Sequence, residues 1–193
     1  MNSASFQSAG HGAASRKVGR RLAVVLAIVA GLAGCDTTAS FRDTSARISA
    51  TTRFDPVEMQ GRWVVRERAA EAQDPQATAP ESFEFGAVDG SQIAVIWSHR
   101  VCDAANCVDL RTPLTAKVTG PGRFVMPRGE GPPVGHWVLW TDADYRVAAI
   151  GTPSGSFGWI MTKGEARADL MQAAREIMDW SGYDIAHLQA VQK

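Results

Sequence analysis

The sequence predicts an all-β domain followed by one helix, with the strands closed into an eight-stranded antiparallel up-and-down β-barrel. Three observations carry this expectation. Short apolar or alternating segments recur between residues 61 and 163, separated by Gly, Pro and Asp breaks. The connections between them are short, which suits antiparallel neighbours rather than crossovers. The period then changes from two to between three and four, as on one stripe of a helix.

The first strand segment is GRWVVRERA (61–69), which opens on a glycine two residues before a tryptophan. A glycine there implies that something passes close to the backbone. ESFEFGAV (81–88) follows, then Asp89-Gly90, a dipeptide suited to a tight hairpin. In SQIAVIWSHR (91–100), Ile93, Val95, Trp97 and His99 share one face. The remaining segments are VDLRTPLTAKV (108–118), GRFVMPR (122–128), VGHWVLWT (134–141), DYRVAAIG (144–151) and SFGWIMTK (156–163). In 134–141, His136, Val138 and Trp140 fall on one side and Trp137 and Leu139 on the other. Large residues on both sides imply that one face is covered, with the C-terminal helix as the candidate cover; parity does not say which face is inner. That helix is predicted from Leu170, Met171, Ala174, Ile177 and Met178, and Gly182 ends it.

The N-terminal region is of a different kind. Arg16, Lys17, Arg20 and Arg21 precede an apolar run of eleven residues, LAVVLAIVAGL (22–32), too short to span a bilayer as a helix. This reads as an export signal. It ends in Leu32-Ala33-Gly34-Cys35, which resembles the lipobox of bacterial lipoproteins. That resemblance implies removal of residues 1–34 and a diacylglycerol on Cys35. Two or three acyl chains, palmitate among them, would hold such a protein to a membrane. Residues 35–53 are small and polar and are expected to be a flexible tether. Cleavage removes four of the 20 basic residues and none of the 20 acidic ones, leaving a formal charge of −4. Nucleic acid is therefore not an expected partner.

No catalytic constellation emerges, so the chain is not expected to be an enzyme. His99, His136 and His187 lack zinc or nucleophile spacing, and TPSGSFG (152–158) lacks a nucleophile elbow. Asp142 and Asp144 suit turn chemistry. No cofactor or metal is expected. Cys102 and Cys107 bracket a short hairpin tip, at the ~4.5–5.5 Å Cα separation compatible with a disulfide, and export to an oxidising compartment favours the bond. A metal or haem site on His99, Cys102 and Cys107 is the alternative, without an evident fourth ligand.

Phe54-Asp55, Gly61, Trp63 and Arg68 stand at the spacing of the first lipocalin signature. Thr141-Asp142 with Tyr145, then Trp159-Ile160 with Lys163, resemble the later ones, and SGYDIAHLQAVQ (181–192) is similar to the end of bacterial lipocalins. The resemblance covers residues 54–193. It implies that Trp63 caps the closed end of the barrel with a basic side chain across its ring. Gly61, Trp63 and Lys163 are thus the expected closure. Lysine replaces the usual arginine at 163, and Val64 stands where an aromatic is usual.

An eight-stranded barrel is either filled or holds one small ligand. Phe83, Phe85, Val95, Trp97, Met126, Trp137, Leu139, Trp140 and Tyr145 are the candidate lining, rich in aromatic and soft side chains. Arg100 and Arg111 are candidates to meet a carboxylate or phosphate head group. The expected function is a lipocalin anchored in the bacterial cell envelope, facing the periplasm and binding a fatty acid, lysophospholipid or similar molecule. A non-enzymatic envelope scaffold with a filled barrel is the alternative.

Overall fold

A computed structural model describes residues 40–71, 74, 77–102, 106–127 and 131–192. The expected signal segment, Cys35 and the start of the tether lie outside the described residues. The strands are β1 (Gly61–Ala69), β2 (Glu81–Asp89), β3 (Gln92–Cys102), β4 (Cys107–Gly120), β5 (Arg123–Met126), β6 (Val134–Thr141), β7 (Val147–Gly151) and β8 (Gly158–Thr162). The helix α1 (Ala168–Trp180), a 3-10 turn (Ile185–His187) and β9 (Leu188–Ala190) complete the chain. Each strand pairs antiparallel with the next, and β1 pairs with both β8 and β2, which closes the barrel. β9 takes the Glu67–Ala69 end of β1, beyond the reach of β2.

Closure gives the barrel two ends. At the end where β1 starts lie the turns β2–β3, β4–β5 and β6–β7. At the other lie the connections β1–β2, β3–β4, β5–β6 and β7–β8. The first is a floor. Trp63 is fully buried, its indole N–H donates to the carbonyl of Met59 (2.8 Å), and Phe54 stacks on Phe124 (6.2 Å). Gly61 has φ 111°, and a Cβ there would lie 3.6 Å from the Lys163 side chain, which crosses it to place Nζ 5.2 Å from the Trp63 ring centroid. The lysine stem passes at ordinary van der Waals distance, so the glycine is required by its left-handed φ rather than by the close passage expected from the sequence. Tyr145 holds the β6–β7 turn with φ 52°, a left-handed conformation unusual for a tyrosine. Its hydroxyl donates to the Arg53 carbonyl (2.6 Å) and accepts from Asp55 N–H (2.7 Å). Tyr145 therefore belongs to the floor, at the core's edge, rather than to the wall of a cup.

Two β-bulges reassign side chains. The β1–β8 register shifts between Val65 and Glu67, so that Val65 points inward, Glu67 points out to Arg175 of α1, and Arg68 points inward again opposite Trp159. A second shift between Val138 and Trp140 turns Trp140 to the outer face beside Trp137 and Leu139. These three pack with Met171, Ala174 and Met178 of α1. The candidate lining is corrected accordingly: Trp137, Leu139 and Trp140 lie outside, under the helix. An extra residue in one strand breaks the two-residue alternation on which inside and outside depend.

Residues 40–53, expected to belong to a flexible tether, are instead held against the barrel. Arg42 is buried and donates to the carbonyls of Ser181 (3.1 Å), Pro153 (2.6 Å) and Ala46 (2.6 Å). The last turn of α1 has no basic residue of its own, and Arg42 brings a cation to its carbonyl end. Phe41 packs with the α1 cluster, and Thr51 N–H donates to the Val138 carbonyl (2.8 Å).

Tyr183 fastens the far end of the helix. Gly151 and Gly158 pair in the β7–β8 register, and a Cβ on either would lie within 3 Å of the Tyr183 ring, so two glycines make its slot. The hydroxyl accepts from Thr152 N–H (2.8 Å) and donates to the Phe157 carbonyl (2.7 Å). Burial pushes its pKa up from 10.0 to about 12. The folded state thus favours the neutral phenol, and that stability is present below pH 10 and lost as pH rises towards 12. The shift is worth about 3 kcal/mol. Denaturant midpoints measured across this range are expected to fall more steeply for the wild type than for Tyr183→Phe. Parallel curves would refute the assignment.

Candidate functional site

The interior is layered. Above the floor, Phe83, Phe85, Phe124, Phe157 and Trp159 fill the barrel with fully or nearly fully buried rings. His136, also fully buried, stacks on Phe124 (5.1 Å between centroids, 8° between planes), and its Nδ1 lies 2.8 Å from the Val134 carbonyl. Val95 and Met126 belong to this packed layer. The sequence-predicted residues Phe83, Phe85, Val95 and Met126 are therefore inward but covered.

A polar layer lies next. Glu81 is in phase with Phe83 and Phe85, and its carboxylate takes the guanidinium of Arg68 and the indole N–H of Trp97 (2.7 Å). The side chains of Arg68 and Glu81 are 14% and 3% exposed, so this is a buried ion pair. Trp97 stacks on Phe83 on one side and on His99 on the other, the latter with centroids 3.6 Å apart. Burial depresses the pKa of His99; Glu81 opposes this and Arg68 adds to it. No hydrogen-bond partner for its buried Nδ1 occurs among the described residues.

Among the described residues the inner wall of β3 and β4 is exposed towards the hairpin tip. On β3 and β4 the inward positions Ile93, Val95 and Ala116 are buried, whereas Leu114, opposite Val95, and the pair Trp97 and Thr112, one step nearer the tip, are half-buried. Val101, Val108 and Leu110, at the same inward phase near the tip, are exposed. The two strands run past their neighbours to the hairpin tip, where Cys102 and Cys107 are bonded with Cα atoms 4.1 Å apart. Reducing this bond is expected to cost about 2 kcal/mol, since the closed loop is short. A thermal melt with and without reductant checks this; a loss above roughly twice that would mean that the hairpin organises more than its own tip.

The sequence did not single out Glu81, Leu110 or Leu114, and it named Arg68 only within the family signature and His99 only as an alternative metal ligand. Glu81 and His99 were within reach, because each shares the phase of apolar inward residues. Arg68 was not, because its direction depends on the bulge. Arg100 and Arg111 point outward, to Asp109 (2.7 Å) and Glu84 (3.5 Å), so their assignment to a head group inside the cup is corrected. They border a groove of about 360 Å³ that is also lined by Val64, Ser82, Glu81, His99 and Leu110. No cluster of three or more His, Cys, Asp or Glu side chains suited to a metal occurs among the described residues.

A closed eight-stranded antiparallel barrel with a capped floor, one flanking helix and an open mouth has the lipocalin fold. Residues 122–193 match the family described as "Lipocalin-like domain". Among solved structures, insecticyanin from the tobacco hornworm Manduca sexta is similar at 16% identity and a TM-score of 0.58, covering 76% of this chain and 85% of its own. The cockroach allergen Per a 4 is similar at 15% identity and a TM-score of 0.55, covering 78% and 96%. At these identities the likeness is one of fold. No curated protein matches the chain in sequence.

Proposed function

We propose that this chain is a lipid-anchored protein of the bacterial cell envelope that binds a small hydrophobic molecule in the open half of its barrel. A fatty acid, a lysophospholipid or a similar membrane-derived lipid suits the chemistry. The observation that carries the reading is the inner wall of β3 and β4, where Trp97 and Leu114 are half-buried and Leu110, Val108 and Val101 are exposed at inward positions. An acyl chain laid there would remove apolar surface from water at about 25 cal/mol per Å². Glu81 and His99, paired across β2 and β3 at the level of Leu110, and Arg68 supply the few polar groups that typically orient a ligand in an apolar pocket. Eight-stranded barrels are wide enough for one such ligand.

The anchor rests on the lipobox-like sequence ending at Cys35 and on the basic and apolar segments before it. Native mass spectrometry of gently extracted protein is expected to find acyl chains on Cys35 and a separate, dissociable lipid. If no lipid co-purifies and fluorescent fatty acids are not displaced, the binding reading loses its support. The dense ring packing around His136 favours a second reading, a filled barrel that acts as an envelope scaffold. An absence of lipid together with a stable protein partner would favour it.

A further inference from the structure

We infer that the mouth end of the barrel is a membrane-contact surface, with Trp180 and Ile185 on one side and the tip of the β3–β4 hairpin on the other. This inference rests on the anchored reading above. Among the described residues the exposed large apolar side chains are Val57, Val101, Val108, Leu110, Trp180 and Ile185, and all but Val57 lie at the mouth end. Val101, Val108 and Leu110 stand on the projecting hairpin. Trp180, 67% exposed, ends α1 immediately before Ser181 and Gly182, whose carbonyls accept from Arg42 and Asp43, and Tyr183, whose hydroxyl bonds to the β7–β8 connection. Ile185 precedes β9, which pairs with the mouth end of β1. Single exposed apolar residues are ordinary, but their concentration at one end of a barrel is not.

The occupant follows from where the chain leaves the fold. Ser40 donates to the Ser154 carbonyl (2.9 Å) in the β7–β8 connection, at the mouth. Cys35 is five residues away, and five residues span at most about 18 Å. The nine residues of β1 extend about 30 Å from mouth to floor at strand geometry. An acyl group on Cys35 thus brings the mouth to the lipid surface and keeps the floor away from it. Tryptophan is well suited to such an interface, having an apolar body and a polar N–H. The exposed inner wall of β3 and β4 then opens toward the bilayer, so that a lipid passes between membrane and cup with little exposure to water.

The test uses the full chain as processed in cells, reconstituted in phosphatidylethanolamine/phosphatidylglycerol vesicles that carry a nitroxide lipid labelled near the head group. Trp180 is one of six tryptophans. Wild-type emission is expected to drop by about a sixth on addition of the quencher, given an interfacial depth of roughly 5–10 Å, and the drop is expected to vanish in Trp180→Phe. Val108→Asp, at the hairpin tip, is expected to reduce the drop while leaving the vesicle-bound fraction unchanged, because the acyl chains still hold the protein. Bound protein whose emission is unquenched overturns the mouth-down orientation and leaves the anchor standing. A chain that neither carries acyl groups nor pellets with vesicles overturns both. A mouth buried against a second copy, seen as a dimer with unquenched Trp180, also overturns the inference.

Discussion

Trp63→Ala is expected to destabilise the barrel by about 4 kcal/mol, the range for removing a large aromatic from a core. The indole is fully buried, its N–H is bonded to the Met59 carbonyl, and the Lys163 ammonium stands 5.2 Å from the ring while donating to the Glu58 carbonyl (2.8 Å). Three contributions disappear together: apolar burial, one hydrogen bond, and a cation–π contact worth about 0.5–2 kcal/mol. Partial burial already depresses the pKa of Lys163, with Glu58 opposing. In a domain of this size the melting temperature is expected to fall by about 10 °C or more. Trp63→Phe keeps the ring and loses the N–H, so it is expected to retain most of the stability. If calorimetry finds Trp63→Ala within about 1 kcal/mol of wild type, the floor is not built around this residue.

The second large effect is at the polar layer. Glu81→Ala leaves the Arg68 guanidinium inside the barrel without its carboxylate and removes the acceptor of the Trp97 N–H. Breaking one side of a buried ion pair costs about 3–5 kcal/mol, mostly because the remaining charge is left in a poorly solvated place. Replacing both partners by apolar residues of similar size, Arg68→Met with Glu81→Leu, is expected to recover most of the loss. A double-mutant cycle in urea reads this coupling directly. Equal and additive losses would mean that the two side chains do not meet. The double variant also removes polar groups from the proposed cup, so it is expected to fold normally yet lose discrimination between ligand head groups.

The parts of this fold that were legible in the sequence are those with local causes. Asp89-Gly90 marks a hairpin because the turn demands a left-handed glycine, and Gly90 has φ 57°. Met171, Ala174 and Met178 mark the buried stripe of a helix because spacing alone places them on one face. Gly61, Trp63 and Lys163 were legible through the family resemblance, although Lys163 stands far from the other two in sequence. The residues misplaced on β6 have a different cause. Trp140 shares the parity of His136 and Val138, and only the bulge sends it to the other side. Arg42 shows a further limit: in a small, polar segment it looks solvated, and its burial depends on carbonyls supplied by residues 111 and 139 positions away. The open inner wall was hidden for a related reason, because alternation tells two faces apart without saying how far a neighbouring strand extends. β4 has 14 residues and β5 has four, and that inequality is what uncovers Leu110 and Val108.

Whether the mouth half takes up one apolar ligand, as proposed, is decided by a titration with cis-parinaric acid. Saturable uptake at one probe per chain is expected, with energy transfer from tryptophan that is reduced in Trp97→Leu, and displacement by palmitate. A correctly folded protein that shows no saturable uptake at any probe concentration would contradict the proposal.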